Sequence, residues 1–350
     1  MRALAISKYC KPSEYQMSTL PLPEIARPDE LLIKVKAAAV NPVDVKMASG
    51  MTKILGVASF PYKIGYDLSG VVVAVGDSVK SLKPGDEVFT RLDEEHRGSI
   101  AEYAVSLSSL TAKKPVSLSF IEAASLPLVA GTAIEVFDIA EKHFGGSLKG
   151  KTVYVPAGLS GTGSMGIQLA KNVYGAGKII TTLSTSKIPK VEQYLGHAVP
   201  DQIIDYTKQK SVVGVGKGVV DFMFDTMNQT MSDLPVVKKG GVIVSITTFP
   251  SGHQVKEMAP GAPGWLVIAM NFIDWLFRYW TGRKGVGYSF MQKRGNAKIL
   301  ERISQYVVEG KLKPIVGRQA KFSDVEQVKE GCQQIFDAKG GIGKFVVEID

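Results

Sequence analysis

Two cysteines, Cys10 and Cys332, and four histidines are all that this chain of 350 residues offers a disulfide framework or a soft metal. A disulfide-stapled scaffold and a cysteine-rich zinc module are thereby excluded. The histidines, at 96, 143, 197 and 253, are too scattered to suggest a metal cluster. Glycine is plentiful at 36 residues, but no Gly-X-Y period accompanies it, so a collagen-like rod is out. Low-complexity tracts and internal repeats are missing as well. The N-terminal run MRALAISKYC has no continuous apolar stretch, so no signal peptide is expected, and a cytoplasmic protein is.

Long apolar runs are also lacking. The greasiest segment, Gly264 to Trp280 (GWLVIAMNFIDWLFRYW), falls short of the about 20 residues a membrane span takes. Asn271, Asp274 and Arg278 interrupt it at i, i+3 and i+7, a narrow polar stripe on an otherwise apolar helix. The leading expectation is a mostly buried helix or a subunit contact. Peripheral attachment to a membrane surface, or a wall of an apolar pocket, stays open.

Acids are in deficit: 42 Lys and Arg face 33 Asp and Glu, a net charge of +9. Such a balance favours anionic small molecules. The basic residues are dispersed without interleaved aromatics, so no nucleic-acid partner is expected. With 45% apolar residues, the chain can bury one large core or two.

The first ~110 residues read as short strands and turns. Arg2–Ser7, Leu31–Ala38 (LLIKVKAA), Gly70–Val75 and Glu87–Phe89 suggest a small antiparallel, barrel-like β region. A capping box at Ser119-Phe-Ile-Glu122 opens a helical segment. Beyond it, apolar strands alternate with helices: Thr152–Val155, Lys178–Leu183, Gln202–Ile204, Val219–Phe224 and Val242–Ile246. Alternation of this kind indicates a parallel sheet covered on both faces. Ser323-Asp-Val-Glu326 caps a late helix, and Lys344–Ile349 is a closing strand.

Directly after Thr152–Val155 comes PAGLSGTGSMG, in which Gly161, Gly163 and Gly166 satisfy G-x-G-x-x-G before a helix. In that context the pattern points to a dinucleotide pyrophosphate, because bare backbone amides and the helix dipole meet there. Ser160, Gly161, Thr162, Gly163, Ser164 and Gly166 are the candidates. The stretch holds no G-x-S-x-G, so a hydrolase elbow is unsupported. The second strand runs into Ser184-Thr-Ser186-Lys187 with no acid at its end. A carboxylate there would select NADH, whereas hydroxyls and a lysine suit the 2′-phosphate of NADPH. Ser184 or Ser186 serves equally well as a helix cap.

These residues resemble the medium-chain dehydrogenase/reductase superfamily over nearly the whole chain. The matching motifs are Asn41-Pro-Val-Asp44-Val-Lys46, Gly65-x-Asp67-x-x-Gly70-Val, Gly98–Tyr103, Gly131-Thr132-Ala133, the glycine loop, and Ile204-Asp205-Tyr206. Asp221–Thr226, Gly240-Gly241, Glu309–Pro314 and Gly343-Lys344 complete the set. The resemblance implies an α/β protein. A GroES-like β-rich catalytic domain (1–127 and 296–350) would accompany a Rossmann doubly wound parallel-sheet cofactor domain (128–295), with the active site in the cleft between. Zinc-dependent members carry a cysteine in the first motif and Gly-His-Glu in the second. This chain has Val40-Asn41-Pro42 and Gly65-Tyr66-Asp67, so no metal is expected.

The likeness is to the zinc-free quinone oxidoreductase and fungal enoyl reductase branch, which includes enzymes of fungal secondary metabolism. It implies hydride transfer from NADPH to an enone, an enoyl thioester (free or on a carrier protein) or a quinone. Lys46 would stabilise the developing enolate, Asn41 and Thr132 would orient the nicotinamide, and Tyr66 would face the cleft. Tyr206 would flank the adenosine phosphate. Relatives occur as monomers and as homodimers. The rival expectation is a non-catalytic NADPH-binding protein of the same fold, membrane-associated or active in trafficking or stress.

Overall fold

A computed structural model of the protein describes residues 1–55, 59–291, 295–339 and 341–350. Two compact units divide the chain: Met1–Gly131 with Arg294–Asp350, and Thr132–Lys293.

The first unit is organised by one long strand, Glu30–Val40. It pairs antiparallel with Asp67–Val75, Tyr103–Leu107 and Lys344–Glu348, in a seven-stranded sheet. Alternate residues Leu31, Ile33 and Val35 enter a core with Leu68, Val72, Phe345 and Val347, as the period of two demands. Gln16–Thr19, Arg2–Ile6 and Tyr62–Lys63 form a separate small sheet. Within the first ~110 residues the pairing is antiparallel as expected; beyond them, Val316–Lys321 runs parallel to Lys344–Glu348, joined to it by the helix Val325–Phe336. That helix is capped by Asp324 rather than Ser323, the Asp324 carboxylate accepting from the Gln327 N–H at 3.0 Å. The Ser119–Glu122 capping box forms as expected.

The second unit is a parallel sheet of six strands, one more than the five expected. Their order is Gln202–Asp205, Lys178–Leu183, Thr152–Val155, Val220–Asp225, Val237–Ser245 and Gly287–Phe290. The last strand, Gly-Tyr-Ser-Phe, carries no apolar run and so lies outside the five read from the strand–helix alternation, although the resemblance implies an edge strand near Tyr288. One face buries Tyr154, Ile180, Met223 and Ile243. On the other, Phe137 of the helix Pro127–His143 packs edge-on against Phe222 at 5.1 Å. Both faces are therefore covered, and the chain reverses winding direction between Thr152–Val155 and Val220–Asp225. In such sheets that reversal is where a ligand binds, at the carboxyl ends of the strands.

Two further expectations shift. The sequence after the second strand, Lys187–Leu195, reads as helical, yet it is only part α-helix: Pro189 cannot donate, so 3₁₀ turns over Thr185–Lys190 precede the helix Val191–Leu195. The apolar segment forms the helix Gly264–Arg283, but it is not mostly buried. Trp265, Ile268, Phe272, Trp275, Tyr279 and Trp280 are each between 42% and 71% exposed. Among the described residues, no helix is long and apolar enough to cross a membrane.

Candidate functional site

The glycine loop sits at the winding reversal. Ser160 caps the helix Gly161–Asn172, its hydroxyl accepting from the Gly163 N–H at 3.1 Å. A Cβ on Gly163 would lie 2.3 Å from the Ala157 carbonyl oxygen, and one on Gly166 would lie 2.9 Å from Phe224 Cδ1. The first glycine lets the turn close, and the second lets the helix lie against the sheet. Ser164 is buried, its hydroxyl donating to the Gly161 carbonyl, while Gly161 and Thr162 remain half-buried at the helix start. First-turn amides so presented form a site for an anion, reinforced by the helix dipole. Ala157 N–H donates to Thr182 Oγ1, which ties the loop to the neighbouring strand.

At the end of that strand the Ser184 and Ser186 hydroxyls lie 3.3 Å apart. Lys187 is half-buried, and burial, with Lys190 alongside, lowers its pKa. An anion arriving here would relieve both effects. Tyr206 is 56% exposed, its N–H bonded to the Leu183 carbonyl, so it stands beside the same strand end. The adjacent strand also brings an acid that the local motif did not reveal. The Asp205 carboxylate accepts from the Thr185 and Thr207 hydroxyls and has Lys208 at 3.8 Å. These hydroxyl bonds hold its pKa below the ordinary value. The loop residues and the Ser184–Lys187 segment thus gather along one edge of one sheet, as a dinucleotide requires.

Of the other candidates, Asn41, Lys46 and Tyr66 belong to the first unit and Thr132 to the second. Pairing of Ala39 with Asp67 brings Asn41 and Tyr66 to the same end of neighbouring strands. Asn41 is fully buried at the start of the helix Pro42–Ala48, its N–H donating to Asp44 Oδ2 at 2.6 Å. Its side-chain amide donates to Asp67 Oδ2 at 3.0 Å, and its Oδ1 accepts from Lys344 Nζ. Lys344 also donates to the Val40 carbonyl at 2.9 Å and lies 3.9 Å from Asp67. Burial drives the Asp44 pKa up to about 7, with Asp67 adding to the effect and Lys344 opposing it. Burial lowers that of Lys344, against the pull of Asp67 and Asp44.

Tyr66 is 3% exposed and donates its phenol to Glu94, with the Arg91 guanidinium 5.5 Å from its ring. Burial chiefly, and then Glu94, raise its pKa. Lys46 is exposed on the last turn of the helix Pro42–Ala48. Thr132 is buried on the helix Pro127–His143. In the sequence, Asp44, Asp67 and Lys344 stand only as positions within matching motifs. The lysine becomes legible only once the fold brings it beside Asn41.

A zinc ion does not fit the Asn41–Tyr66–Asp67 constellation. It contains no thiolate or imidazole, its amide is bound on both sides, and a lysine ammonium lies beside its carboxylate. Elsewhere Asp93, Glu95 and His96 approach one another, but the two ring nitrogens of His96 are paired with Asp93 and Glu30.

The sequence profile of the alcohol dehydrogenase GroES-like domain matches residues 27–116, and that of a zinc-binding dehydrogenase matches residues 200–347. A tomato (Solanum lycopersicum) protein named 2-methylene-furan-3-one reductase is 35% identical, covering 87% of this chain and 68% of its own length. The chain belongs to the medium-chain dehydrogenase/reductase superfamily. This superfamily member is equally similar to the chloroplastic NADPH-dependent alkenal/one oxidoreductase of Arabidopsis thaliana, at 35% identity over 87% of this chain and 68% of that one. Among solved structures it resembles the quinone oxidoreductase of Coxiella burnetii, with 27% identity, TM-score 0.79, and coverage of 100% and 99%.

Proposed function

We propose that the protein is an NADPH-dependent reductase of carbon–carbon double bonds conjugated to a carbonyl. The observation that carries this reading is the glycine-cut helix start at the winding reversal, next to a strand that ends in Ser184, Ser186 and Lys187. The two relatives named for reduction of alkenones and alkenals support the substrate class.

Bound NADPH supplies the hydride. The amides of Gly161 and Thr162, at the helix start shaped by Ser160, Gly163, Ser164 and Gly166, would hold the pyrophosphate, and Ser184, Ser186 and Lys187 would hold the 2′-phosphate, with Tyr206 beside the adenosine. Lys46 donates to the carbonyl oxygen as negative charge builds on it, the class of interaction that most lowers such barriers. Thr132 would orient the nicotinamide, Asn41, its amide already bound on both sides, holds Asp67 and Lys344 in place as a positioning residue, and Tyr66, its proton retained, would border the substrate. Hydride addition to the β-carbon leaves an enolate whose α-carbon takes its proton from water, so no side chain is assigned to that transfer. No metal is required, because Lys46 provides the electrophile. A carrier-tethered enoyl chain is a second substrate form, favoured by the +9 charge of the chain toward an acidic carrier.

NADPH oxidation measured against enones, alkenals, enoyl thioesters and quinones tests the proposal. Turnover is expected with the conjugated carbonyls, and Lys46→Ala should lower kcat about 100-fold while Lys46→Arg restores part of it. Silence across the panel despite tight NADPH binding would instead identify a non-catalytic binding protein.

A further inference from the structure

The helix Gly264–Arg283 is amphipathic in the opposite sense to a surface helix of a globular protein. Its polar stripe is engaged by the protein. Asn271 Oδ1 accepts from the Gly252 N–H at 2.9 Å. Arg278 pairs with Asp274 at 2.7 Å and donates to the Tyr288 carbonyl at 3.3 Å. The apolar side faces outward. Trp265, Ile268, Phe272, Trp275 and Tyr279 follow one another at spacings of three and four, a straight exposed seam. Phe272, Trp275 and Tyr279 stack with ring centroids 5.8 and 5.3 Å apart.

All three tryptophans of the chain stand on this helix, and each is more than half exposed. Tryptophan usually lies largely buried, and it gathers in the open chiefly where an apolar phase meets water. At ~150–250 Å² per aromatic side chain, the exposed shares of the five aromatics come to roughly 500 Å². That is short of the about 800 Å² per partner of a standard protein–protein interface, so a second copy would be held weakly by this seam alone.

Charge completes the argument. From Met258 to Met291 the sequence has one acid, Asp274, and it is paired. Arg283 and Lys284 are exposed at the end of the helix, and Lys239, also exposed, packs beside Gly285 there. An aromatic seam with cations gathered at one end complements an interface that is apolar inside and anionic at its surface.

We propose that the outward face of Gly264–Arg283 docks the protein onto an anionic lipid bilayer, lying in the headgroup region rather than crossing it. The proposal is independent of the hydride chemistry and is tested without it. Because the tryptophans are confined to this helix, intrinsic fluorescence reports on it directly. Vesicles of phosphatidylcholine mixed with phosphatidylserine should co-sediment the full chain and shift its emission to the blue; phosphatidylcholine alone should do so weakly. Trp275→Ser with Tyr279→Ser should abolish the shift, and Arg283→Glu with Lys284→Glu should weaken partitioning at least ~10-fold, given about 1 kcal/mol per basic residue at such a surface. All four positions are exposed, so an unchanged melting temperature verifies the fold. An unshifted spectrum with both vesicle types would overturn the proposal. A stable dimer in sedimentation equilibrium that the aromatic double variant dissociates would overturn it too, by assigning the seam to a second copy.

Discussion

Asp44 shows how a single buried carboxyl sets a property of the whole protein. It sits fully buried beside Asp67, with the Asn41 N–H and Lys344 as the groups that offset its cost. Its Oδ1 and that of Asp67 accept no hydrogen bond, which favours a protonated acid. A folded pKa of about 7 against 3.8 means that the folded chain keeps a proton the unfolded chain releases. Stability is then fully present below roughly pH 4 and declines as pH rises toward about 7, by on the order of 4 kcal/mol, levelling off above. Asp44→Asn should flatten that stretch of the curve of unfolding free energy against pH; a slope equal to that of the unmodified protein would contradict the assignment. Lys187 is the second residue whose setting makes a firm expectation. Burial and the neighbouring Lys190 disfavour its charge, a cost that a bound phosphate would offset. Lys187→Ala should raise KM for NADPH at least ~10-fold, the loss of one charge-assisted bond, and leave KM for NADH nearly unchanged. Equal losses with both cofactors would place the lysine elsewhere.

At the scale of the element, the glycine turn and the aromatic helix differ in how openly the sequence announces them. The turn was legible because each glycine answers a local steric demand: a strand must end, a backbone must pass close, and a helix must lie on the sheet. Gly163 meets that demand most sharply. Gly163→Ala would drive a Cβ to within 2.3 Å of the Ala157 carbonyl, which cannot yield without opening the turn. NADPH affinity measured by calorimetry should fall at least ~10-fold, with a loss of stability of about 1–3 kcal/mol. Gly282→Ala is the control. Nothing lies within 4 Å of its added Cβ, so it should be neutral or stabilise the helix by up to about 1 kcal/mol. Comparable damage from both would remove the steric explanation. The helix Gly264–Arg283 was legible as a helix, but its orientation was not. Periodicity identifies a stripe of different character, and the usual rule sends the polar stripe to water. Here Gly252 and Tyr288 claim it instead, through contacts that no local pattern encodes. The cap at Asp324 missed by one residue for a related reason, since Ser323 and Asp324 offer equivalent chemistry and only the backbone path chooses between them.

At the scale of the whole molecule, the parallel sheet was readable because βαβ units repeat a strand–helix rhythm with short connections. The organisation of the first unit was less so. Its sheet joins Glu30–Val40 to Lys344–Glu348 across three hundred residues, and long-range pairing leaves no trace in a local window. The same separation hid Lys344 from the site reading while Asn41 was in plain view. The division into two units makes a prediction about where binding energy is deposited. The pyrophosphate and 2′-phosphate groups assigned above belong to Thr132–Lys293, so NADPH should stabilise that unit directly. At a free concentration 100 times Kd, mass action contributes about 2.7 kcal/mol. Hydrogen exchange should then slow at the amides of 157–166 and along Thr152–Val155 and Lys178–Leu183, with a rise in melting temperature that scales with the logarithm of the cofactor concentration. NADH at equal concentration should protect the same amides less, because the Ser184–Lys187 segment gains no phosphate. Protection that leaves residues 157–166 unchanged while slowing exchange elsewhere would show that the dinucleotide is held by other residues, and with it the assignment of the glycine turn would fall.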